Sequence, residues 1–408
     1  MNQIQIPKEN PMRARRLFTI LAVLLSFAVV AAACGDSGGG DDNAEGQTTA
    51  PAAEDGGEVT TTVADGGASG DTFLVGKFAD ACDSFKDQVT VPDDFNIGLV
   101  TDIGKINDGT FNEGVYKGFA AAAECFGLEN RFIETASEAD YVTNLNSILD
   151  DNPEVVVTVG FMLASDTLEQ AQAHPDVKYV GVDQFQPEYP DNYVGVLAAD
   201  DQGGCMMGGF AGTLTESNVV GVVAGVEAVP PVVRFANAFK HCAELANPDV
   251  DVRIVYHESF TDVTGGAATA EQMLGEGADV IFGAGGPTGS SGIKTAAAKG
   301  AWVIGVDTDE YYTTFEGGAI EGADKLATSA IKDVGLGVFN QIAMALTGEF
   351  QSGIFTLTAA NGGMDYAPAH DADLPADAVK ALEDFRAGLA DGSISTGVDP
   401  ITGQPLDG

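Results

Sequence analysis

Nine short apolar runs punctuate the chain, at 96–100, 130–134, 154–159, 177–182, 192–197, 219–224, 250–256, 278–282 and 301–306. Each reads as a strand, and most are separated by 10–17 residues of helical spacing. Strands alternating with helices predict βαβ units and parallel sheets. Nine strands are many for one sheet, and the pattern pauses near 192–203 before restarting. The chain is therefore expected to form two similar α/β lobes, each a doubly wound parallel sheet. The helix after 200 carries Gly203, Gly204, Gly208, Gly209 and Gly212. These weaken a helix and imply close packing against a neighbour. Beyond Asp307 a less regular stretch leads to a helix at 331–346. The remainder, 355–408, holds one short helix near 376–388 and then a loose tail.

In open α/β sheets ligands sit at the carboxyl ends of strands, so the residues there matter most. The first run continues as NIGLVTDIGKINDGTFNEGVYKG. Its polar loop offers Asp102, Asn107, Asp108, Phe111 and Asn112, with Asp108 as N-cap of the following helix. Later runs lead into Gly160-Phe161-Met162 and into Asp183. Others lead into Glu227 with Pro230-Pro231, Arg234 and Phe235, into Glu258-Ser259-Phe260-Thr261-Asp262, into GAGGPTG (283–289), and into Asp307-Thr308-Asp309. Carboxylates accept hydrogen bonds from vicinal hydroxyls, glycines admit a ligand close to backbone, and aromatic faces stack on flat rings. Together they suit a planar base joined to a polyol, such as a nucleoside. GAGGPTG also resembles a dinucleotide fingerprint with an acid downstream at Asp307. Thr288 breaks the glycine spacing, however, and the loop falls late in the chain. No cofactor is expected.

The start of the chain changes the setting. Lys8, Arg13, Arg15 and Arg16 precede the apolar run 17–33, which ends Ala31-Ala32-Ala33-Cys34. This is a secretory signal whose end resembles a bacterial lipobox, with Cys34 lipidated. Arg15-Arg16 leaves a twin-arginine export route open. Residues 35–71 hold nine acids and no base. They lack the apolar surface to fold, and as a tether they span roughly 35 Å. Net charge is −42 and pI about 4.1, which argues against nucleic acid or anionic lipid as a charge-driven partner.

Four further cysteines, Cys82, Cys125, Cys205 and Cys242, belong to an exported chain, where disulfides form. Four cysteines allow three pairings, and proximity favours Cys82–Cys125 and Cys205–Cys242, one per lobe. None has zinc-finger spacing, and no metal is expected. The histidines His174, His241, His257 and His370 are scattered and expected at the surface. No HExxH is present, and GxSxG occurs only at 35–39, in the linker and not at a strand-to-helix turn, so the chain is expected not to be an enzyme.

The blocks NIGLVTDIGKINDGTFNEG, VTVGFMLASDTL, YVGVD, PPVVRFANAFKHCAELANPDV, the run from YHESFTDVTGG to AWVIGVDTDE, and ATSAIKDVGLGVF resemble the basic membrane protein family across about 96–350. Those are lipoproteins that serve ABC transporters as solute receptors, several for purine nucleosides. The resemblance implies a type I periplasmic-binding-protein fold, with two lobes joined by a three-segment hinge and ligand in the cleft. It implies that Asp102 and Phe111 hold the ligand with Asn112 beside them, and that Phe260 or Phe235 supplies a second aromatic. Asp307 would take the ribose, Gly285 would give close approach, and Lys332 and Asp183 would complete the set. Glu310 stands where relatives usually have Gln, and the four mature cysteines are not a family feature.

The expected division is a signal peptide at 1–33 and a lipidated cysteine with disordered acidic linker at 34–94. The N-terminal lobe takes 95–198 and 322–352, and the C-terminal lobe takes 199–321 and 353–408. The expected protein is a monomer, lipid-anchored on the extracytoplasmic face of the cell membrane. Its partners would be a purine nucleoside and a transporter permease. The alternatives are an exported nucleoside-processing enzyme and a sensory receptor for a small polar ligand. Base release would mark the first, and an adjacent permease gene would argue against the second.

Overall fold

The computed structural model describes residues 72–406. The signal segment, the lipobox Cys34 and the linker to residue 71 lie outside the described residues. A first helix, α1 (Thr72–Phe85), corrects the assignment of all of 34–94 to linker. Phe78, Ala81, Cys82 and Phe85 recur at helical spacing and pack on the core. The Phe78 ring stacks on Phe339, with centroids 6.2 Å apart.

The first lobe follows as β1 (Asn96–Ile103), α2 (Phe111–Phe126), β2 (Glu129–Thr135), α3 (Tyr141–Leu149), β3 (Val155–Val159), α4 (Ala164–Ala173), β4 (Lys178–Val182) and β5 (Tyr193–Ala198). The second runs α5 (Asp200–Leu214), β6 (Val219–Ala224), α6 (Pro230–Ala246), β7 (Asp251–Tyr256), α7 (Val263–Gly275), β8 (Val280–Ala284), α8 (Gly286–Ala298), β9 (Trp302–Asp307) and β10 (Leu326–Lys332). Then come α9 (Val334–Thr347), β11 (Gly353–Leu357), β12 (Met364–Tyr366) and α10 (Ala376–Asp391).

All nine sequence-predicted strands are present, in two six-stranded sheets. The first sheet is ordered β11-β5-β4-β3-β1-β2 and is parallel throughout. The second is ordered β12-β10-β9-β8-β6-β7, parallel except for β12 beside β10. Helices cover both faces, so the inner strands read as continuous apolar runs. β3, for example, is Val-Val-Val-Thr-Val and buried at every position. β4 and β9 hold the same place in their sheets. Two boundaries are corrected. β10 belongs to the second sheet although 322–352 was expected in the N-terminal lobe. β11 belongs to the first sheet although 353–408 was expected in the C-terminal lobe. Each strand follows the sheet whose edge it can hydrogen-bond. The chain thus changes lobes three times, at Ala199, at Asp333 and across 358–363. This is the three-segment hinge of the type I periplasmic-binding-protein fold.

Both disulfides are formed: Cys82–Cys125 joins α1 to α2, and Cys205–Cys242 joins α5 to α6. The glycines of α5 explain the second pairing. A Cβ on Gly208 would lie 2.0 Å from the carbonyl oxygen of Phe239, so the two helices meet backbone to backbone. The C-terminal tail is less loose than its composition predicts. Asn237 Nδ2 donates to Gly403 O at 2.8 Å and Thr396 Oγ1 to Asp201 Oδ2 at 2.8 Å, which docks the tail on the second lobe.

Candidate functional site

The carboxyl ends of both sheets face a single cleft that encloses a cavity of about 320 Å³. All eleven ligand residues expected from the sequence border it. The first lobe supplies Asp102, Asn107, Phe111, Asn112, Phe161 and Asp183. The second supplies Phe235, Phe260, Gly285 and Asp307, and Lys332 enters from the end of β10 at the hinge. The four phenylalanines divide evenly between the lobes. Gly285 lies so near the neighbouring strand that a Cβ would meet Gly225 N at 2.5 Å, so its close approach is to backbone as well as to the cavity.

Local structure explains how the polar groups come to point inward. Asp108 is three residues before the start of α2, yet its carboxylate gathers that helix's free N–H groups. It accepts from Thr110 N at 2.9 Å, Glu113 N at 3.1 Å and Asn112 N at 3.2 Å. This holds the 104–110 loop over the cavity. Asp183 and Asp307 end the equivalent strands β4 and β9, and both adopt the left-handed backbone, with φ 59° and 66°. Aspartate tolerates that conformation better than most residues, and it turns each side chain off the strand end into the cleft.

Charge in the cleft is organised around Lys332. Its Nζ lies 2.5 Å from Asp183 Oδ2 and 2.9 Å from Asp200 Oδ1, and 5.0 Å from the centre of the Phe111 ring. Burial opposes its charge, but Asp183, Asp200 and Asp307 outweigh burial and raise its pKa. Asp200 is itself fully buried and is held by Arg234 through Nε at 3.0 Å. Among the described residues Asp102 has no such cation. Burial, then Asp108 and Asp183, push its carboxyl well above the usual range. Burial raises Asp307 to about 7 and Glu310 to about 7, with Lys332 partly opposing the first and hydrogen bonds the second.

Sequence reading missed Asp200, which stood at an expected hinge rather than a strand end. Arg234 was noticed but does not line the cavity; it stands behind it as the partner of Asp200. Lys105, Met162, Val232, Thr261 and Pro287 are among the other residues that line it. Glu227, Glu258 and Asp262 remain exposed outside it, and Asp262 instead caps α7 by accepting from Gly265 N at 2.9 Å. The expectation that every histidine is at the surface fails for two. His257 is partly buried beside Thr269 Oγ1, at 3.2 Å. His370 stacks on Tyr311 and bonds Asp309 Oδ2 at 2.7 Å. Chain spacing gave no hint of the latter contact, which spans 61 residues.

The raised carboxyls carry a sign for stability. A folded-state pKa above the unfolded value means that the folded chain holds protons the unfolded chain has lost, so stability falls as pH rises from the unfolded value through about 7. Glu310 is the cleaner case, since it is fully buried. Between pH 5.5 and 8 it is expected to withdraw on the order of 1–2 kcal/mol. Thermal melts of the parent should therefore decline over this range more steeply than those of Glu310→Gln. Equal slopes would remove Glu310 as the titrating group.

Two α/β lobes, three crossings and a cavity at the facing strand ends define a two-lobed solute-binding protein. The chain belongs to the Bmp family, the PnrA-like ABC transporter substrate-binding proteins, whose model matches residues 95–363. It is 28% identical over 293 residues to the ABC transporter nucleoside-binding protein BmpA of Lactococcus lactis subsp. cremoris, covering 67% of this chain and 82% of that one. It is 29% identical over 327 residues to a CD4+ T-cell-stimulating antigen of Listeria monocytogenes, covering 75% of this chain and 89% of that one. The crystal structure of an ABC transporter solute-binding protein from Aeropyrum pernix K1 superposes with TM-score 0.65 at 24% identity, covering 74% and 92% of the two chains. Among the described residues no helix is long and apolar enough to cross a membrane.

Proposed function

We propose that this chain binds a purine nucleoside between its lobes and delivers it to a transporter permease, held outside the cytoplasmic membrane by a lipid on Cys34. The observation that carries this reading is the contrast between Asp183 and Asp307. Asp183 is neutralised by Lys332 at 2.5 Å, whereas the Asp307 side chain makes no hydrogen bond or ion pair among the described residues and borders the cavity. An open carboxylate beside four phenylalanine rings matches a vicinal diol attached to a flat base. Phe111 from one lobe and Phe260 or Phe235 from the other stack on the base. Asp102, pushed toward its neutral acid, offers the base edge a donor as well as an acceptor. The name of the Lactococcus relative points the same way.

The ligand is held and released unchanged. Isothermal titration of the purified full chain with inosine, adenosine, hypoxanthine and ribose tests the reading. Each nucleoside should bind more tightly than its free base or the sugar alone. Absence of nucleoside binding at millimolar concentration would overturn the ligand assignment. Steady release of hypoxanthine from inosine would overturn the non-enzymatic role.

A further inference from the structure

The lobes also touch at residues that do not line the cavity. Gly109, in the loop before α2, has φ +82°, a backbone that favours glycine. Its N–H donates to Glu113 Oε2 at 2.9 Å, and Glu113 pairs with Lys117 at 3.1 Å, so this peptide is fixed from the first lobe. Its carbonyl faces the second lobe and accepts two hydroxyls there, Thr313 Oγ1 at 2.7 Å and Thr308 Oγ1 at 3.0 Å.

Both threonines lie on the segment that follows β9, and that segment is braced from within its own lobe. Glu310 accepts from Val306 N at 3.0 Å and from the Thr314 hydroxyl. Tyr311 OH donates to Asp371 Oδ2 at 2.6 Å, and Asp309 bonds His370 at 2.7 Å. A fixed carbonyl on one lobe thus meets two fixed hydroxyls on the other.

We infer that Gly109, Thr308 and Thr313 form a latch that stabilises the closed cleft independently of which ligand fills it. The bonds span the lobes, so they exist only when the lobes are together. Apparent affinity is the intrinsic affinity scaled by the closed, competent fraction. A contact that raises this fraction tightens every ligand by the same factor. Residues that touch the ligand act differently, because their effect depends on what the ligand presents. Thr313 and Gly109 lie outside the cavity lining. The inference borrows the nucleoside reading only for its choice of probes.

Thr313→Val keeps shape and removes the hydroxyl. Titration with inosine and with hypoxanthine should show both weakened about fivefold, the ~1 kcal/mol of one net hydrogen bond converted at 1.4 kcal/mol per decade. The change should fall mainly on dissociation, and Thr313→Ser should recover most of it. Hydrogen exchange of the ligand-free full chain should show faster exchange around 109–113 and 308–314 in the valine variant. Unequal factors for the two probes would place Thr313 on the ligand and overturn the latch. So would unchanged affinity for both. If neither probe binds, the nucleoside reading falls, and exchange alone decides the latch, unchanged rates overturning it.

Discussion

Lys332→Met is expected to destabilise the protein by about 3–5 kcal/mol, because it strands buried carboxylates without their shared cation. Lys332 is 3% exposed, Asp183 7% and Asp200 fully buried. Asp200 keeps Arg234, but Asp183 loses its ion pair, and its Oδ1 already lacks a hydrogen-bond partner. Thermal denaturation followed by circular dichroism should show a fall on the order of 10 °C. Two further measurements identify the cause. Lowering the pH toward 5 should narrow the gap between variant and parent, since protonating Asp183 discharges the stranded group. Adding Asp183→Asn to Lys332→Met should recover part of the loss, because the charge and its partner are then removed together. A gap that ignores both pH and the second substitution would show that Lys332 matters for packing and not for charge.

Asp307→Ala is expected to weaken nucleoside binding roughly 10- to 100-fold, since a charge-assisted hydrogen bond contributes about 1.5–3 kcal/mol and each 1.4 kcal/mol is tenfold. Hypoxanthine, which has no ribose, should lose far less. The parent's nucleoside affinity should also rise with pH through about 7, where the Asp307 carboxyl ionises, because a diol donates best to the charged form. Asp307→Asn separates charge from backbone, since asparagine tolerates a φ of 66° where alanine does not. If nucleoside and base weaken equally, the ribose is elsewhere and the orientation in the cleft is wrong.

The strand ends were legible because burial on both faces writes an apolar run into the sequence, and the residue that ends such a run is placed by topology. That logic brought Asp102, Phe161, Asp183 and Asp307 together from separate parts of the chain. It failed for β10, whose sequence Leu-Ala-Thr-Ser-Ala-Ile-Lys mixes polar and apolar residues at buried positions. Its Thr328 and Ser329 are satisfied by a loop and a turn, through Ala367 O and Glu310 N, which no local pattern reveals. β11 is a half-exposed edge strand and β12 has only three residues, so neither builds an apolar run. α1 was lost because it directly follows an acidic, glycine-rich stretch whose composition dominated the reading. The Lys332–Asp200–Arg234 chain and the Gly109 contacts escaped for a different reason. They depend on how the lobes meet, and that is a property of the hinge.

The matched aspartates at the ends of β4 and β9 give the cleft a direction. Two halves with the same strand order present the same acid in the same left-handed turn, yet among the described residues Lys332 pairs with Asp183 and Asp200 and not with Asp307. The symmetry is therefore broken by charge and not by shape. One aspartate of the pair is electrostatically satisfied and the other is left hungry for donors. A ligand with hydroxyls at one end and a flat ring at the other would enter with its hydroxyls toward the second lobe, so an apparent duplication reads its cargo in a single orientation.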